Sequence, residues 1–246
     1  MGTSFLIYGG TCMNKGKKSI YTALSALALT FINGFFGLIV TRLVISNYGS
    51  DFNGLNSSAN QFVNMLLILE GGFTLATNVA LFKPLAEGDY SAVNRIMSAT
   101  RRIFTKVGYI FLAVGVVGSF GYALVIKTDL PMEVALLVFA MTVVSTAFNL
   151  IYATKYRILL QTEQKEYILN YVNLITIIFS QLAIVFIIFL RGHVLLIRFA
   201  TMIGSIISSF LIGYICKKRH SFLDFTCEPN YKAIKGTRDV FAQKIT

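Results

Sequence analysis

Six long apolar runs, each bounded by charged or turn-forming residues, dominate the chain: Ile20 to Ile45, Ala59 to Phe82, Ile103 to Ile126, Val134 to Ala153, Ile168 to Leu190 and Val194 to Ile215. A bilayer core about 30 Å thick takes roughly 20 helical residues to cross, and every run reaches that length. The alternating pattern of a transmembrane barrel is absent, and a helix satisfies its own backbone groups where water is missing. The pattern therefore predicts an all-α integral membrane protein, a six-transmembrane-helix bundle over residues 19–216. A cytoplasmic segment, 1–18, precedes it and a basic tail or linker, 217–246, follows.

The connections carry their own signals. Residues 46–58 and 127–133 read as loops on one side. Lys83 to Tyr90 forms a loop on the other, after which Asp89 or Ser91 can cap a helix. Val93, Ile96, Met97, Thr100 and Phe104 then recur at helical spacing with Arg95, Arg101 and Arg102 off the stripe, which predicts an amphipathic helix on the inner membrane interface. Only Arg191-Gly192-His193 joins the last two runs, so those helices are expected to be antiparallel neighbours.

Composition sharpens this picture. The 246 residues are 55% hydrophobic and 13% charged, against roughly 25% charged in an average globular protein. This excludes an ordinary soluble domain and a disordered chain. The net charge of +11 would suggest nucleic acid if the basic residues interleaved with aromatics on a soluble face. They lie instead between the apolar runs, so no nucleic-acid partner is expected. Eighteen of the 22 Lys and Arg fall in alternate connections and the two ends, whereas only Lys127 and Arg191 fall opposite. The positive-inside rule then places both termini in the cytoplasm. Cys12, Cys216 and Cys227 form no metal or redox motif, so neither metal nor cofactor is expected. Met13 begins a plausible natural start, which would make residues 1–12 a dispensable extension.

Polar stripes on apolar helices mark what faces a bundle interior. The second run carries Asn60, Asn64, Glu70, Gly71, Thr74, Thr77 and Asn78 within one sector. The fourth carries Thr142, Ser145, Asn149, Tyr152 and Tyr156, the fifth Asn170, Asn173, Thr176 and Ser180, and the first Asn33 beside Gly34 and Gly37. A lone Ser or Thr usually bonds its own i−4 carbonyl; amides are costlier to bury and carry more weight. Gly115, Gly118 and Gly121, and Gly204 with Ser208, predict close-packing surfaces. Glu70 is the strongest single signal, because an intramembrane carboxyl is expensive. Arg198, four residues from a helix end, reads as snorkelling to the interface. Lys83, Lys155 and Arg157 read as topology determinants, and His193 and His220 as solvated loop residues. Helical side chains lean toward their own N-terminus, so Arg42 and Glu70 on antiparallel helices converge in depth, and if those helices are neighbours an Arg42–Glu70 pair is expected in at least one conformational state. The alternative has Arg42 snorkelling outward and Glu70 protonated.

Three stretches also resemble a known family. Thr41-Arg42-Leu43, then Tyr48-Gly49-Ser50-Asp51-Phe52-Asn53-Gly54-Leu55, then Lys83-Pro84-Leu85-Ala86-Glu87-Gly88-Asp89-Tyr90 are similar to the bacterial polysaccharide flippases, the O-antigen and capsule repeat-unit exporters of the multidrug/oligosaccharidyl-lipid/polysaccharide exporter superfamily. The resemblance implies a transporter that flips undecaprenyl-pyrophosphate-linked oligosaccharide between leaflets by alternating access of two six-helix lobes. This chain would supply one lobe of such a MATE-like transporter, ending near Asp239 to Thr246 where a linker to a seventh helix is expected. It would then be a truncated half needing the missing C-terminal lobe or a second subunit, with membrane lipid around it. Arg42, Glu70, Asn33, Asn64, Asn78, Asn149 and Asn173 are the expected substrate pathway, since a pyrophosphate needs cations and sugars need amides. Glu70 is also the coupling candidate for the alternative, a cation-coupled multidrug or small-solute antiporter of the same fold. A polyprenyl-phosphate glycosyltransferase would need clustered acids to hold a metal, and Glu87 with Asp89 and Glu163 with Glu166 are isolated pairs beside basic residues. No enzyme is expected.

Overall fold

The computed structural model describes residues 15–125 and 130–234. The proposed start at Met13, Lys127 and the stretch Asp239 to Thr246 lie outside the described residues. Those described form helices and connections with no strand: α1 (Lys15–Glu87), α2 (Tyr90–Val125), α3 (Met132–Phe148), a π-helical turn (Asn149–Ala153), α4 (Thr154–Thr162), α5 (Glu166–Phe189) and α6 (Val194–Arg219). Five helical stretches among them are long and apolar enough to cross a membrane. Their outer surfaces are strongly apolar: Phe31, Leu38, Ile68 and Phe189 are each at least three-quarters exposed. Water would penalise such a surface heavily and lipid would not.

The first two expected helices are limbs of one element. Residues 46–58, expected as a loop, are helical on either side of a single break at Gly49, whose φ of +86° and ψ of 165° only glycine adopts readily. That one residue reverses the chain. Asn170 near the start of α5 donates to Ser25 (3.0 Å), while the Tyr48 hydroxyl donates to the Gly192 carbonyl (2.6 Å) just past the end of α5, so limb 15–48 lies along α5 in parallel. Limb 50–87 runs back, its Asn56 and Asn60 meeting Arg198 near the start of α6 and its Asn78 meeting Thr162 beside the start of α5.

Helices α5 and α6 are antiparallel, as the three-residue connection requires: Gly204 packs on Ser180 and Ser208 donates to Asn173 (3.2 Å). Schellman bonds close α5, from the Gly192 N–H to the Ile187 carbonyl and from Arg191 to Ile188, with Arg191 in the left-handed region. Asp89 caps α2 through the Ala92 N–H (2.9 Å). The stripe Val93, Ile96, Met97, Thr100 and Phe104 belongs to α2 itself and is buried in the protein core, not laid on lipid. It is covered in part by the tail, which folds back along α2. Asn94 donates to the Phe222 carbonyl (2.8 Å), the Asn230 N–H to the Arg95 carbonyl (3.1 Å), and the Tyr90 and Phe222 rings meet at a tilt with centroids 4.2 Å apart. The chain's own apolar strap therefore takes the place expected for the bilayer surface.

Candidate functional site

The π-helical turn decides which residues face inward between α3 and α4. At 100° per residue, Asn149 and Tyr156 are about 20° apart on a regular helix and Arg157 is about 80° away. The extra residue of a π turn removes one step, which swings Tyr156 off the face and brings Arg157 to within about 20° of Asn149. Thr146, Asn149, Thr154, Arg157 and Gln161 accordingly line one cavity of about 510 Å³ together with Glu70, Thr74 and Asn78 of α1. Tyr152 and Tyr156, expected on the same stripe, pack elsewhere. Tyr152 stacks on Phe148 and packs at a tilt against Phe210, and Tyr156 meets Phe225 edge-on.

A second cavity of about 360 Å³ lies between limb 15–48, α5 and α6, lined by Asn33, Asn173, Thr176, Ser180 and Gln181. Asn149, Arg157 and Ser205 line both. Arg157 thus stands on the partition, and its buried Nε has no hydrogen-bond partner, an expensive condition for a guanidinium. The buried Gln181 Oε1 on the second cavity is also unpartnered. Asn149 donates to Ser209 (3.3 Å), and Asn78 accepts from Thr162 (2.8 Å).

The expected Arg42–Glu70 pair does not form. Arg42 is exposed and borders an apolar recess with Gly34, Gly37, Leu38 and Thr41 on limb 15–48, away from Glu70. Glu70 accepts from its own-helix neighbour Thr74 (2.9 Å) and shares its cavity with Arg157 without a direct ion pair among the described residues. Limb 15–48 lies along α5, which turns Arg42 away. Asn64 is exposed and lines neither cavity. The structure gathers Glu70, Asn78, Asn149, Asn33 and Asn173 around the two cavities and leaves Arg42 and Asn64 outside them.

Three charged residues depart from their expected roles. Arg198 does not snorkel: it is 8% exposed, and its guanidinium donates to Asn56 (2.8 Å), Asn60 (3.0 Å) and twice to Thr142. Lys155 is buried against the Tyr152 and Tyr156 rings at 5.1 and 4.9 Å, with its ammonium donating to the Ile151 carbonyl. His220 is buried, with Nε2 2.8 Å from Glu163 Oε2 and Nδ1 2.9 Å from the Cys216 carbonyl. Burial pushes the Glu163 carboxyl up, but hydrogen bonds from His220 and Lys165 outweigh it and hold its pKa below the ordinary 4.5. No group of three His, Cys, Asp or Glu gathers for a metal among the described residues.

No protein-family model matches this chain, and neither a curated protein nor a solved structure matches it. The chemistry of the two cavities therefore carries the functional reading. A guanidinium edge without a partner attracts an anion, and the surrounding amides and hydroxyls suit a hydroxyl-rich group.

Proposed function

We propose that this chain is one lobe of a membrane transporter that moves a lipid-linked, phosphate-bearing oligosaccharide across a bacterial plasma membrane. The two limbs of α1 count as separate crossings in this reading. They make six in all, a MATE-like lobe with both termini cytoplasmic, completed by a second lobe or subunit. The observation that carries the proposal is Arg157, whose buried Nε has no hydrogen-bond partner and which stands on the partition between two polar cavities. Inside a membrane bundle such a cation is retained against its insertion cost when it meets an anion. A polyprenyl pyrophosphate supplies that anion, and Asn78, Asn149, Asn173 and Gln161 supply partners for sugar hydroxyls.

The test is binding of a polyprenyl-pyrophosphate-linked oligosaccharide to the purified chain. Losing a buried charge-assisted contact costs about 2 kcal/mol or more, so Arg157→Ala should weaken binding by about thirtyfold or more. Unchanged affinity in Arg157→Ala overturns the reading. A cation-coupled antiporter is the second reading, favoured by Glu70 facing the same cavity. It requires Glu70→Gln to abolish cation-driven uptake, with no effect of the pyrophosphate lipid in either direction.

A further inference from the structure

A separate basic cavity of about 460 Å³ opens beside α2, lined by Arg101, Arg102, Thr105, Lys106, Phe225 and Tyr231. None of its walls is acidic. Arg101, Arg102 and Lys106 are exposed and make no ion pair among the described residues. The Arg101 guanidinium lies over the Phe225 ring at 5.9 Å, and Lys155 approaches the same ring at 6.0 Å. Three unneutralised cations converging on one cavity repel one another unless an anion joins them.

What continues from this cavity along α2 identifies the anion. At 100° per residue, Arg102, Lys106, Tyr109, Ile110, Val117 and Phe120 share a sector of about 100°. The last four are apolar or aromatic and more than half exposed, with Val117 at 72%. A basic cavity leading into an exposed apolar ridge on a membrane-length helix matches an amphiphile whose head is anionic and whose tail is hydrocarbon. The aromatic walls, Phe225 and Tyr231, suit the interfacial depth at which such a head sits. A soluble phosphate would engage the cations alone, whereas an amphiphile engages the cations and the ridge together.

We infer that Arg101, Arg102 and Lys106, closed by Phe225 and Tyr231 of the tail strap, bind the phosphate head of an anionic glycerophospholipid whose acyl chains lie along Ile110, Val117 and Phe120. The site is independent of the transport reading, since Arg157 and both polar cavities lie elsewhere. It also gives the tail a role: a bound lipid bridges α2 to the strap and holds the strap at the membrane surface.

Retention of phosphatidylglycerol by the full chain in a zwitterionic detergent, measured by native mass spectrometry and by titration, tests this. Each cation near such a surface contributes about a factor of five, so Arg101→Gln, Arg102→Gln and Lys106→Gln together should lower affinity roughly a hundredfold. A control triple, Lys83→Gln, Lys218→Gln and Arg219→Gln, removes the same formal charge and should leave binding within about twofold. Val117→Ser with Ile110→Ser should weaken phosphatidylglycerol binding with the cations intact. Equal loss in the control triple overturns the site, because binding would then follow net charge alone. Full displacement of phosphatidylglycerol by millimolar glycerol 1-phosphate overturns the lipid assignment in favour of a soluble phosphate. Arg101→Lys, Arg102→Lys and Lys106→Arg keep the charge and the fold together; loss of lipid from that variant also counts against the proposal.

Discussion

Replacing Arg198 with Leu should destabilise the bundle by about 2 kcal/mol, a figure that follows from two opposing terms. Arg198 makes four side-chain hydrogen bonds, to Asn56 and Asn60 on limb 50–87 and two to Thr142 on α3. Interhelical hydrogen bonds in membranes average about 0.6 kcal/mol, so four are worth about 2.5 kcal/mol. Against this stands the cost of keeping a guanidinium in the membrane, about 3 kcal/mol at the helix centre on insertion scales. That cost falls steeply toward the ends, and Arg198 is about 6 Å from the start of α6. The bonds win, because the depth at which the charge is expensive is not the depth at which it sits. Steric-trapping or denaturant unfolding in micelles measures the loss. A double-mutant cycle with Asn56→Ala isolates the contact, and a coupling of about 0.5 kcal/mol or more is expected. An Arg198→Leu protein as stable as the parent, or strictly additive effects, would show that the guanidinium reaches out to the interface.

Two further outcomes follow from packing and titration. A Cβ at position 115 would come 2.5 Å from Val143 Cγ1, on a buried β-branched side chain with a stiff χ1, so Gly115→Ala should lose about 1 kcal/mol net after its gain in helix propensity. Adding Val143→Ala should restore stability, and Gly34→Ala, with nothing within 4 Å, should show no loss; failure of the rescue refutes the α2–α3 contact. The strap should loosen in acid. Because the folded Glu163 pKa is depressed, its stabilising share is present above the ordinary 4.5 and is lost as pH falls through the lower folded value. Hydrogen–deuterium exchange within 221–230, normalised to the intrinsic rate at each pH, should therefore rise as pH falls below 4.5, whereas Glu163→Gln should raise it at neutral pH and remove the pH dependence; a protected strap in that variant contradicts a role for the Glu163–His220 contact in holding it.

Helix content and membrane character were legible along the chain, because both depend on apolar run length and on backbone groups that lipid cannot satisfy. So was the short turn at Arg191-Gly192-His193, where three residues leave no geometry but antiparallel neighbours. Glu70, Asn78, Asn149, Asn33 and Asn173, which line the cavities, stand out one at a time because amides and carboxyls are costly on a membrane helix. Arg157 was hidden by a phase error: regular 100° spacing places Tyr156 on the Asn149 face, and only the π turn exchanges the two. No composition or periodicity reports one inserted residue in a hydrogen-bond ladder. Arg198 and His220 were misplaced for a related reason, since whether a charge snorkels or turns inward depends on what waits for it. Asn56 and Asn60 come from more than a hundred residues earlier, and Glu163 from 57. The local pattern determines which segments must be helical and apolar on the outside; partners brought from distant parts of the chain, and the single break at Gly49 that folds α1 on itself, decide which polar groups meet.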